Sequence, residues 1–534
     1  MDNDVADVVV VGFGAAGACA AIEAANAGAD VLLIDRFSGG GATALSGGVV
    51  YAGGGTKQQR TAGVTDTPDA MYAYLAREVG DAVSPETLRA FCKDSADSLG
   101  WLEQQGVPFD ATPCPYKTSY PNNEFYLYYS GSEAAGGFRD VAPPAPRGHR
   151  AHGRGTSGKA LFGAIADAAS RAGVRVLTQT RVRRLLTDGD GRVTGVEADT
   201  VRGAARRAHR RLAKLAAKPG LYVPGLRKQL QRQVDRIERT STEPVTITAR
   251  SGVVIAAGGF VANRAMMREH APAYRGGLAL GTAGDDGSGI EMGRAAGGDV
   301  AHLDRVSAWR FITPPSAFLG GLIVDSTGAR VIDESRYGAA IGEALITRHD
   351  GTGWLLVDDD IMADARRTVR GEAQWFQLLQ AWYLFARGRV RDRTLAGVAA
   401  RAGIDPTGLA ATVAAHNAAA EAGESDPMGK PAEFVRPLGA PFSLIDVSVR
   451  PSLGYPCPML TLGGLVVDED TGAVRRPDGG AVPGLYAAGR SAVGICSRSY
   501  VSGLSLADCV FSGRRAGKHC ATAGAGADKN ENMF

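Results

Sequence analysis

The chain has 534 residues, of which 45% are hydrophobic and 22% are charged, and its formal net charge is +3. This balance is typical of a globular protein and excludes an intrinsically disordered chain, and the length predicts two or three domains. No run of about 18 apolar residues occurs, and no basic segment with an apolar core opens the chain, so we expect neither a transmembrane span nor a secretion signal. The seven cysteines are scattered without C-x-x-C spacing, which favours reduced thiols in a cytoplasmic protein and argues against a metal site.

A strand–turn–helix pattern opens the chain. Residues 8–11 form an apolar run typical of a buried strand, the motif G-F-G-A-A-G follows at residues 12–17, and Ala-rich helical sequence continues to Gly28. A second apolar run at residues 31–34 ends in Asp35. In this context the glycines predict a tight turn that brings a dinucleotide pyrophosphate to a helix N-terminus, and Asp35 is expected to accept hydrogen bonds from ribose hydroxyls. The residues assigned to the dinucleotide here are Gly12, Gly14, Ala15, Ala16, Gly17, Asp35 and Arg36.

Further small-residue segments favour FAD over a nicotinamide dinucleotide. A second glycine-rich loop lies at residues 39–48, and near the other end a strand runs into a tight turn at residues 484–490 before a helix opens at residues 502–508. A flavin requires close backbone approach along its pyrophosphate and its isoalloxazine ring, which small residues permit. Each segment alone is also typical of an ordinary loop, but together and in this order they predict FAD. The residues assigned to FAD in these segments are Gly41, Ala42, Thr43, Ser46, Gly47, Gly48, Gly489, Arg490, Ser505 and Leu506.

These motifs resemble those of the fumarate reductase/succinate dehydrogenase flavoprotein superfamily, and more closely those of the flavin-dependent 3-ketosteroid dehydrogenases. The resemblance runs from the first glycine motif through the G-G-A-T-A-L-S-G-G loop and the A-A-G-G turn at residues 256–259 to the C-terminal A-A-G-R and S-Y-V-S-G-L-S-L-A-D stretches. It implies that Val182, Ala257, Gly258 and Asp286 also belong to the FAD site. Succinate dehydrogenases carry a flavin-linking His beside the second glycine loop, whereas residues 42–45 contain none, so we expect non-covalent FAD.

The resemblance also implies the architecture. We expect an α/β protein in which a Rossmann-like FAD-binding domain is interrupted by an α+β capping domain, with the active site at their junction. The expected bounds are 1–280 for the first part of the FAD-binding domain, including a basic helical insertion at 202–243, 281–441 for the capping domain, 442–525 for the second part and 526–534 for a flexible tail.

Residues 202–239, called here the basic hairpin, concentrate the positive charge. They hold twelve Lys or Arg residues and two acids, a local charge of +10, which leaves −7 for the rest of the chain. Two helical segments flank a turn that presents Leu221, Tyr222 and Val223. This pattern suits an anionic membrane surface, which would hold an otherwise cytoplasmic chain against the inner face of the cell membrane. Packing on the same chain or on a second subunit is the alternative, and nucleic-acid binding is disfavoured because interleaved aromatic residues are lacking.

Catalytic residues follow from the chemistry and the resemblance. Oxidation of a C–C bond next to a ketone requires an acid for the carbonyl oxygen and a base for the adjacent carbon, and in a dry apolar pocket tyrosines and serines suit better than full charges. In the resembled dehydrogenases that act on carbons 4 and 5 of 5α-reduced ketosteroids, a Tyr-x-Ser-Gly serves these roles, and a tyrosine of the capping domain supports the serine. The matching residues here are Tyr500, Ser502 and Tyr337.

Several alternatives stay open at this point. Tyr337 is otherwise an exposed tyrosine, and Ser502 is otherwise a helix N-cap. The aromatic-rich residues 116–129 either line a steroid-sized pocket or pack in a surface loop. The reaction is otherwise a dehydrogenation of carbons 1 and 2 or a fumarate- or enoate-type reduction, and the remaining alternative is a non-catalytic flavoprotein. The expected partners are a 3-ketosteroid and an electron acceptor that the sequence does not identify.

Overall fold

A computed structural model describes residues 3–218, 220, 223–452 and 454–525 of the chain. The strands are β1 (Asn3–Val11), β2 (Val31–Asp35), β3 (Val49–Tyr51), β4 (Leu127–Tyr128), β5 (Gly148–Arg150), β6 (Arg175–Thr178), β7 (Thr180–Thr187), β8 (Val193–Val201), β9 (Thr242–Ile255), β10 (Leu278–Ala279), β11 (Val300–Ala301), β12 (Val306–Ala308), β13 (Leu322–Val324), β14 (Trp354–Asp358), β15 (Arg389–Asp392), β16 (Phe442–Asp446), β17 (Pro458–Thr461), β18 (Gly464–Leu465), β19 (Ala473–Arg475) and β20 (Ala481–Ala487).

The helices are α1 (Ala15–Asn26), α2 (Gly41–Leu45), α3 (Lys57–Thr61), α4 (Pro68–Val79), α5 (Pro85–Lys93), α6 (Ser95–Gln104), α7 (Gly136–Arg139), α8 (Gly158–Arg171), α9 (Ala205–Ala217), α10 (Pro224–Thr240), α11 (Arg264–His270), α12 (Ser288–Ala295), α13 (Gly338–Arg348), α14 (Asp359–Glu372), α15 (Trp375–Ala386), α16 (Leu395–Ala402), α17 (Pro406–Ala422) and α18 (Leu504–Ala525). Short 3-10 helices lie at Ser316–Gly320, Ala432–Phe434 and Gly489–Ser491. Within the described ranges, none of the helices combines the length and the apolar character needed to cross a bilayer.

The principal sheet is built on β1, which lies between β9 and β2 and runs parallel to both. In the described part of the chain this sheet has the order β19-β20-β9-β1-β2-β6, with β7 and β8 attached to β9. Val8 and Val10 pack into the hydrophobic cluster on one face, whereas Val9 and Val11 pack into the cluster on the other. Burial on both faces explains why this strand reads as a continuous apolar run, as parallel strands covered by helices do.

Helix α18 closes one face of this sheet by packing directly on α1. A Cβ atom added at Gly513 would lie 2.5 Å from the carbonyl oxygen of Ala16, and one added at Gly517 would lie 2.0 Å from the carbonyl oxygen of Ala20. The two helices therefore meet backbone to backbone. Because α1 begins directly after the first glycine motif, this contact fixes the position of that motif against the C-terminal segment.

The capping region has its own sheet, in the order β13-β14-β16-β15, and its own hydrophobic cluster. β16 pairs with β14 and β15, so the expected start of the second FAD-binding part at residue 442 is too early. The expected start of the capping domain at residue 281 is also too early, because Met292 on α12 packs into a cluster of the principal sheet. The apolar pattern of the sequence does not show to which of the two sheets a short strand near an expected boundary belongs.

The basic hairpin is two helices, α9 and α10, inserted between the antiparallel strands β8 and β9. Val201 and Thr242 are paired at the end of these strands, so the insertion takes the place of the short turn that would otherwise join β8 to β9. Val234 on α10 is buried, whereas Leu226 is 39% exposed and Val223 is 47% exposed. Leu221 and Tyr222 of the expected apolar tip, and the expected tail at 526–534, lie outside the described residues.

Replacing Gly517 with Val is expected to destabilise the protein, because the added side chain cannot fit against α1. Overpacking of this kind typically costs about 1–3 kcal/mol and sometimes more. A urea unfolding midpoint measures the effect. The matched control is Gly163→Ala in α8, where an added Cβ meets nothing within 4 Å, so stability should be unchanged or rise by up to about 1 kcal/mol. A Gly517→Val protein as stable as the parent would contradict the close α1–α18 contact.

Candidate functional site

A cavity of about 740 Å³ lies where β1, β2 and β9 end. The carboxyl ends of parallel strands are the usual ligand position in open α/β sheets, and the volume is within the range of about 300–1,000 Å³ found for small-molecule sites. The sequence-predicted residues that line it are Gly12, Gly14, Ala15, Ala16, Asp35, Arg36, Gly41, Ala42, Thr43, Ser46, Val182, Ala257, Gly258, Arg490, Tyr500, Ser505 and Leu506. Segments far apart in the chain therefore converge on one space.

Some residues assigned to FAD do not line this cavity. They are Gly17, Gly47, Gly48, Gly489 and Asp286. A Cβ at Gly17 would lie 1.8 Å from the carbonyl oxygen of Gly12, so this glycine closes the turn rather than facing the cavity. Asp286 accepts a hydrogen bond from Arg36 at 3.0 Å, and its neighbour Asp285 lines the cavity in its place.

The carboxylate of Asp35 organises the floor of the cavity. Its Oδ2 accepts a hydrogen bond from the backbone N–H of Phe13 at 2.9 Å, and its Oδ1 accepts from the N–H groups of Phe37 and Gly39 at 2.7 and 3.1 Å. The carboxylate thus ties the first glycine motif to the start of the second. A carboxylate has about four acceptor sites, and these three hydrogen bonds leave one on Oδ2, so Asp35 remains able to accept from a ligand hydroxyl.

Two features show that the cavity suits a ligand that is negatively charged and that lies close against the protein backbone. The Nη1 atom of Arg490 is buried without a hydrogen-bond partner, while its Nη2 donates to Asp285 at 2.5 Å. At Gly14 an added Cβ would meet only Thr43 Oγ1 at 3.5 Å, and at Gly41 it would meet nothing within 4 Å. Protein packing does not require glycine at Gly14, so the missing side chain there leaves room for a ligand, whereas at Gly41 the left-handed backbone (φ +46°) itself favours glycine.

The basic hairpin closes one side of the cavity, which sequence reasoning did not foresee. The hairpin residues on the lining are Arg210, Ala213, Lys214, Ala216, Ala217, Lys218, Arg227 and Gln231. The guanidinium of Arg227 donates to the carbonyl oxygens of Ala279 and Gly281 at 3.0 and 2.8 Å. Because these carbonyls belong to the opposite lip, the hairpin spans the mouth of the cavity.

Arg36 and Glu238 fasten the hairpin to the principal sheet. The guanidinium of Arg36 donates from Nε and Nη2 to the two carboxylate oxygens of Glu238 at 3.0 and 2.9 Å, and His209 Nε2 lies 3.2 Å from the same carboxylate. Burial raises the pKa of Glu238, but the hydrogen bonds and charges of His209 and Arg36 outweigh that effect and hold the pKa at about 2. The ring of His209 also stacks on Phe37 at 6.0 Å. Packing on the same chain, one of the two alternatives for the hairpin, is therefore observed.

Aromatic side chains form one end of the cavity. Trp309 and Tyr500 both line it, and their rings stack at 5.2 Å with an interplanar angle of 16°. The ring of Tyr337 lies 6.4 Å from that of Tyr500 and 5.6 Å from that of Phe311. Tyr337 is 3% exposed, so it is not the exposed tyrosine that the sequence left open.

Ser502 joins these tyrosines to Tyr128. The Ser502 Oγ and the Tyr128 hydroxyl are 3.2 Å apart, and the nearby Ser502 side chain partly opposes the effect of burial, which raises the pKa of Tyr337 well above its ordinary value. Burial likewise raises the pKa of Tyr500. These hydroxyls are therefore neutral donors over the physiological pH range. Tyr128 was not singled out from the sequence, since only the density of aromatic residues between 116 and 129 pointed to it.

Comparisons with known proteins identify the family. A family model described as an FAD binding domain matches residues 7–503. A 3-oxo-5-alpha-steroid 4-dehydrogenase of Comamonas testosteroni is 40% identical over 497 residues, which cover 91% of this chain and 93% of that protein. The chain belongs to the flavin-dependent 3-ketosteroid dehydrogenases. The predicted family, the α/β fold and the cofactor FAD are thereby confirmed.

Two further steroid dehydrogenases are similar to this chain over most of its length. The crystal structure of 3-ketosteroid Δ4-(5α)-dehydrogenase from Rhodococcus jostii RHA1, in complex with 4-androstene-3,17-dione, matches with a TM-score of 0.82 at 31% identity and covers 98% of both chains. A 3-oxosteroid 1-dehydrogenase of Mycobacterium tuberculosis is 27% identical and covers 92% of this chain and 94% of that protein. This dehydrogenase is thus an FAD-dependent oxidoreductase of the class that acts on CH–CH groups.

Proposed function

We propose that the cavity holds FAD without a covalent link. The N-terminus of α1 after Gly14 would receive the pyrophosphate, Asp35 the ribose hydroxyls, and Val182 the adenine through its backbone. The second glycine loop and Arg490 would lie along the isoalloxazine ring, toward Tyr500. The buried, unpartnered Nη1 of Arg490 and the open space at Gly14 support this placement.

In this placement the basic hairpin covers the adenosine half of FAD. Arg36 and Val182 belong to the lining beside Asp35, and Arg210 and Lys214 of the hairpin belong to the same lining. The cations of the hairpin would then face the diphosphate side of the cofactor, while Arg227 bridges the mouth. The hairpin therefore serves to retain FAD.

Replacing Arg227 with Ala is expected to speed FAD dissociation roughly tenfold, because hydrogen bonds from a charged group typically contribute about 1.5–3 kcal/mol. The recovery of free-flavin fluorescence after dilution measures the rate. Arg211→Ala is the matched control, since Arg211 is exposed on the same hairpin and does not line the cavity. Equal dissociation rates for the Arg227→Ala protein and the parent would show that the hairpin does not retain the cofactor.

We propose that this dehydrogenase oxidises a 3-ketosteroid between carbons 4 and 5. The observation that carries the proposal is the cluster of Ser502, Tyr337 and Tyr128 next to Tyr500, which is the one of these four residues that lines the cavity. The 40% identity to a 3-oxo-5-alpha-steroid 4-dehydrogenase supports the position of the new double bond. When bound, FAD supplies the acceptor for the hydride equivalent that leaves the steroid.

The protein groups would divide the remaining work. The Tyr500 hydroxyl would donate a hydrogen bond to the 3-keto oxygen and stabilise the enolate that develops there. Ser502, held between the hydroxyls of Tyr128 and Tyr337, would take the proton from the adjacent carbon and pass it to this chain of hydroxyls. All of these groups are uncharged, which fits a neutral steroid better than a dicarboxylate.

The second candidate function is dehydrogenation between carbons 1 and 2. It is favoured by the 27% identity to a 3-oxosteroid 1-dehydrogenase, and the same enolisation chemistry would serve it. Nuclear magnetic resonance of the product from a saturated 5α-3-ketosteroid distinguishes the two, since a vinyl proton at carbon 4 or a pair at carbons 1 and 2 identifies the new double bond.

We also infer that the chain is cytoplasmic and contacts an anionic membrane surface from the inner side. The outward cations Arg207, Arg211 and Arg236 of the basic hairpin, together with the exposed Val223, support this contact. Basic groups near an anionic surface are attracted to it over about one Debye length. Such a contact suits a substrate class that partitions into lipid.

Replacing Tyr500 with Phe is expected to slow flavin reduction on the order of 10²–10³-fold, because one donor to the developing oxyanion is lost. Stopped-flow bleaching of the flavin by a 5α-3-ketosteroid measures the rate, and the flavin content should stay at the parent level. Tyr486→Phe serves as control, since Tyr486 is a buried tyrosine on β20 away from the cavity lining. Parent-like reduction by Tyr500→Phe would refute the role of this hydroxyl.

Ser502→Ala and Tyr337→Phe are each expected to slow reduction, and the double variant should lose less activation free energy than the sum of the two. Groups that act as one proton-transfer unit are non-additive. The same double-mutant cycle with Ser502→Ala and Tyr486→Phe should be additive. Strict additivity in the first cycle would contradict the proposal that Ser502 and Tyr337 act as one proton-transfer unit.

A further inference from the structure

Helix α15 of the capping region presents an apolar face to the outside. Trp375 is 69% exposed, Leu379 62%, Trp382 45% and Tyr383 40%. Their spacing places all four on one side of the helix. Exposed apolar residues normally occur singly, so a stripe of two tryptophans, a leucine and a tyrosine calls for a partner.

The opposite side of α15 is firmly packed, so the exposed stripe is not a consequence of a loose helix. Ala381, Leu384 and Phe385 are buried, and Phe318 packs on Phe385 with ring centroids 6.1 Å apart. A capping box closes the N-terminus, where Gln374 donates its backbone N–H to Gln377 Oε1 at 2.8 Å. The twelve residues of the helix include no charged side chain.

The N-terminal end of α15 is tied to the loop that borders the second glycine segment. Gln374 Nε2 donates to the carbonyl oxygen of Pro121 at 3.0 Å, and Gln377 Nε2 donates to that of Tyr120 at 3.2 Å. The Tyr120 hydroxyl in turn donates to the carbonyl oxygen of Gly47 at 2.8 Å. The helix therefore borders the FAD-side lip of the junction between the two regions.

The C-terminal half of α15 is tied to the other lip. The ring of Tyr383 lies against Gly454, where an added Cβ would come within 2.7 Å of it. The next residue, Tyr455, donates its hydroxyl to the carbonyl oxygen of Phe311, whose ring contacts Tyr337. One helix thus touches both lips, a few residues from the proposed catalytic tyrosines.

Positive charge surrounds the apolar stripe. Residues 366–393 contain seven arginines and two acids, Glu372 and Asp392, and two of the arginines, Arg367 and Arg391, pair with Asp364 and Asp359 outside this range. Glu372 is buried and accepts from the backbone N–H and the hydroxyl of Ser316 at 2.6 and 2.7 Å, so it does not offset this charge at the surface. The guanidinium of Arg370 lies 5.8 Å from the ring of Trp382. An aromatic stripe rimmed by arginines is complementary to the interface of an anionic bilayer.

We propose that α15 docks this dehydrogenase on an anionic phospholipid bilayer, with Trp375, Leu379, Trp382 and Tyr383 in the lipid interface, and that the steroid enters the active site beside it. The inference rests on the proposed steroid substrate, because a bilayer contact at the site entrance is useful to an enzyme with a lipid-soluble substrate. Peripheral helices of this kind lie in the plane of the interface, as the tethering of both ends of α15 requires. The main docking element is then on the capping region.

Vesicle binding by the holoenzyme tests the proposal. The probes are vesicles of phosphatidylcholine alone and of phosphatidylcholine with phosphatidylglycerol, and the test variant is Trp375→Gln/Leu379→Gln/Trp382→Gln. The parent should sediment with the anionic vesicles, less so at high salt, and the variant should bind roughly tenfold or more weakly, since binding scales with buried apolar area. Bromine-labelled lipids should quench tryptophan fluorescence in the parent and not in the variant.

The matched control is Val141→Gln/Met428→Gln, which removes exposed apolar side chains elsewhere and should bind as the parent does. Flavin reduction by a short, water-soluble ketosteroid should be equal in all three proteins, which verifies that the variant is folded. If no ketosteroid reduces the flavin of any of them, the proposed function fails while the vesicle result still decides the docking.

Two outcomes would overturn the docking proposal. The first is a variant that binds anionic vesicles as tightly as the parent, or a parent that binds none. The second is a parent that sediments as a dimer, ignores vesicles and becomes monomeric on mutation of α15, which would show that a second copy of the chain covers this face.

Discussion

The end of β2 is the point on which the rest of the structure depends. Asp35 accepts hydrogen bonds from three backbone N–H groups, and these fix the relative position of the two glycine-rich segments that line the cavity. The next residue, Arg36, holds Glu238 of the basic hairpin and Asp286 of the opposite lip. A backbone-lined site has few side chains to correct its shape, so its geometry has to be set by such fixed contacts.

The aromatic end of the cavity follows a different principle. Its hydroxyl groups are buried, and burial raises the pKa of Tyr337 and of Tyr500, so that the site carries polar groups without net charge. A charged acid or base there would face a large desolvation cost. In the proposed mechanism, Tyr128, Ser502 and Tyr337 would move a proton in small steps between neutral groups, which is compatible with an apolar substrate beside them.

The sequence predicted those parts of the site that are local in the chain. The first glycine motif, the loop at 39–48 and Arg490 could be assigned because each motif carries its own strand or helix context. The covering of the cavity could not be assigned, because Arg36 and Glu238 are 202 residues apart and meet only in the fold. Asp286 was chosen, whereas the structure places its neighbour Asp285 on the cavity lining, and no spacing rule distinguishes the two. The exposed face of α15 was equally hidden, since an uncharged helix reads as core.

The backbone contact between α1 and α18 has a consequence for how the protein is made. α1 leaves the ribosome several hundred residues before Arg490 and α18. Until α18 is made, α1 lacks the helix on which it packs, and the capping region, which has a hydrophobic cluster of its own, is free to condense first. With FAD placed as proposed, its capture would follow the synthesis of α18, because a chain that ends before residue 490 lacks both Arg490 and the helix that packs on α1.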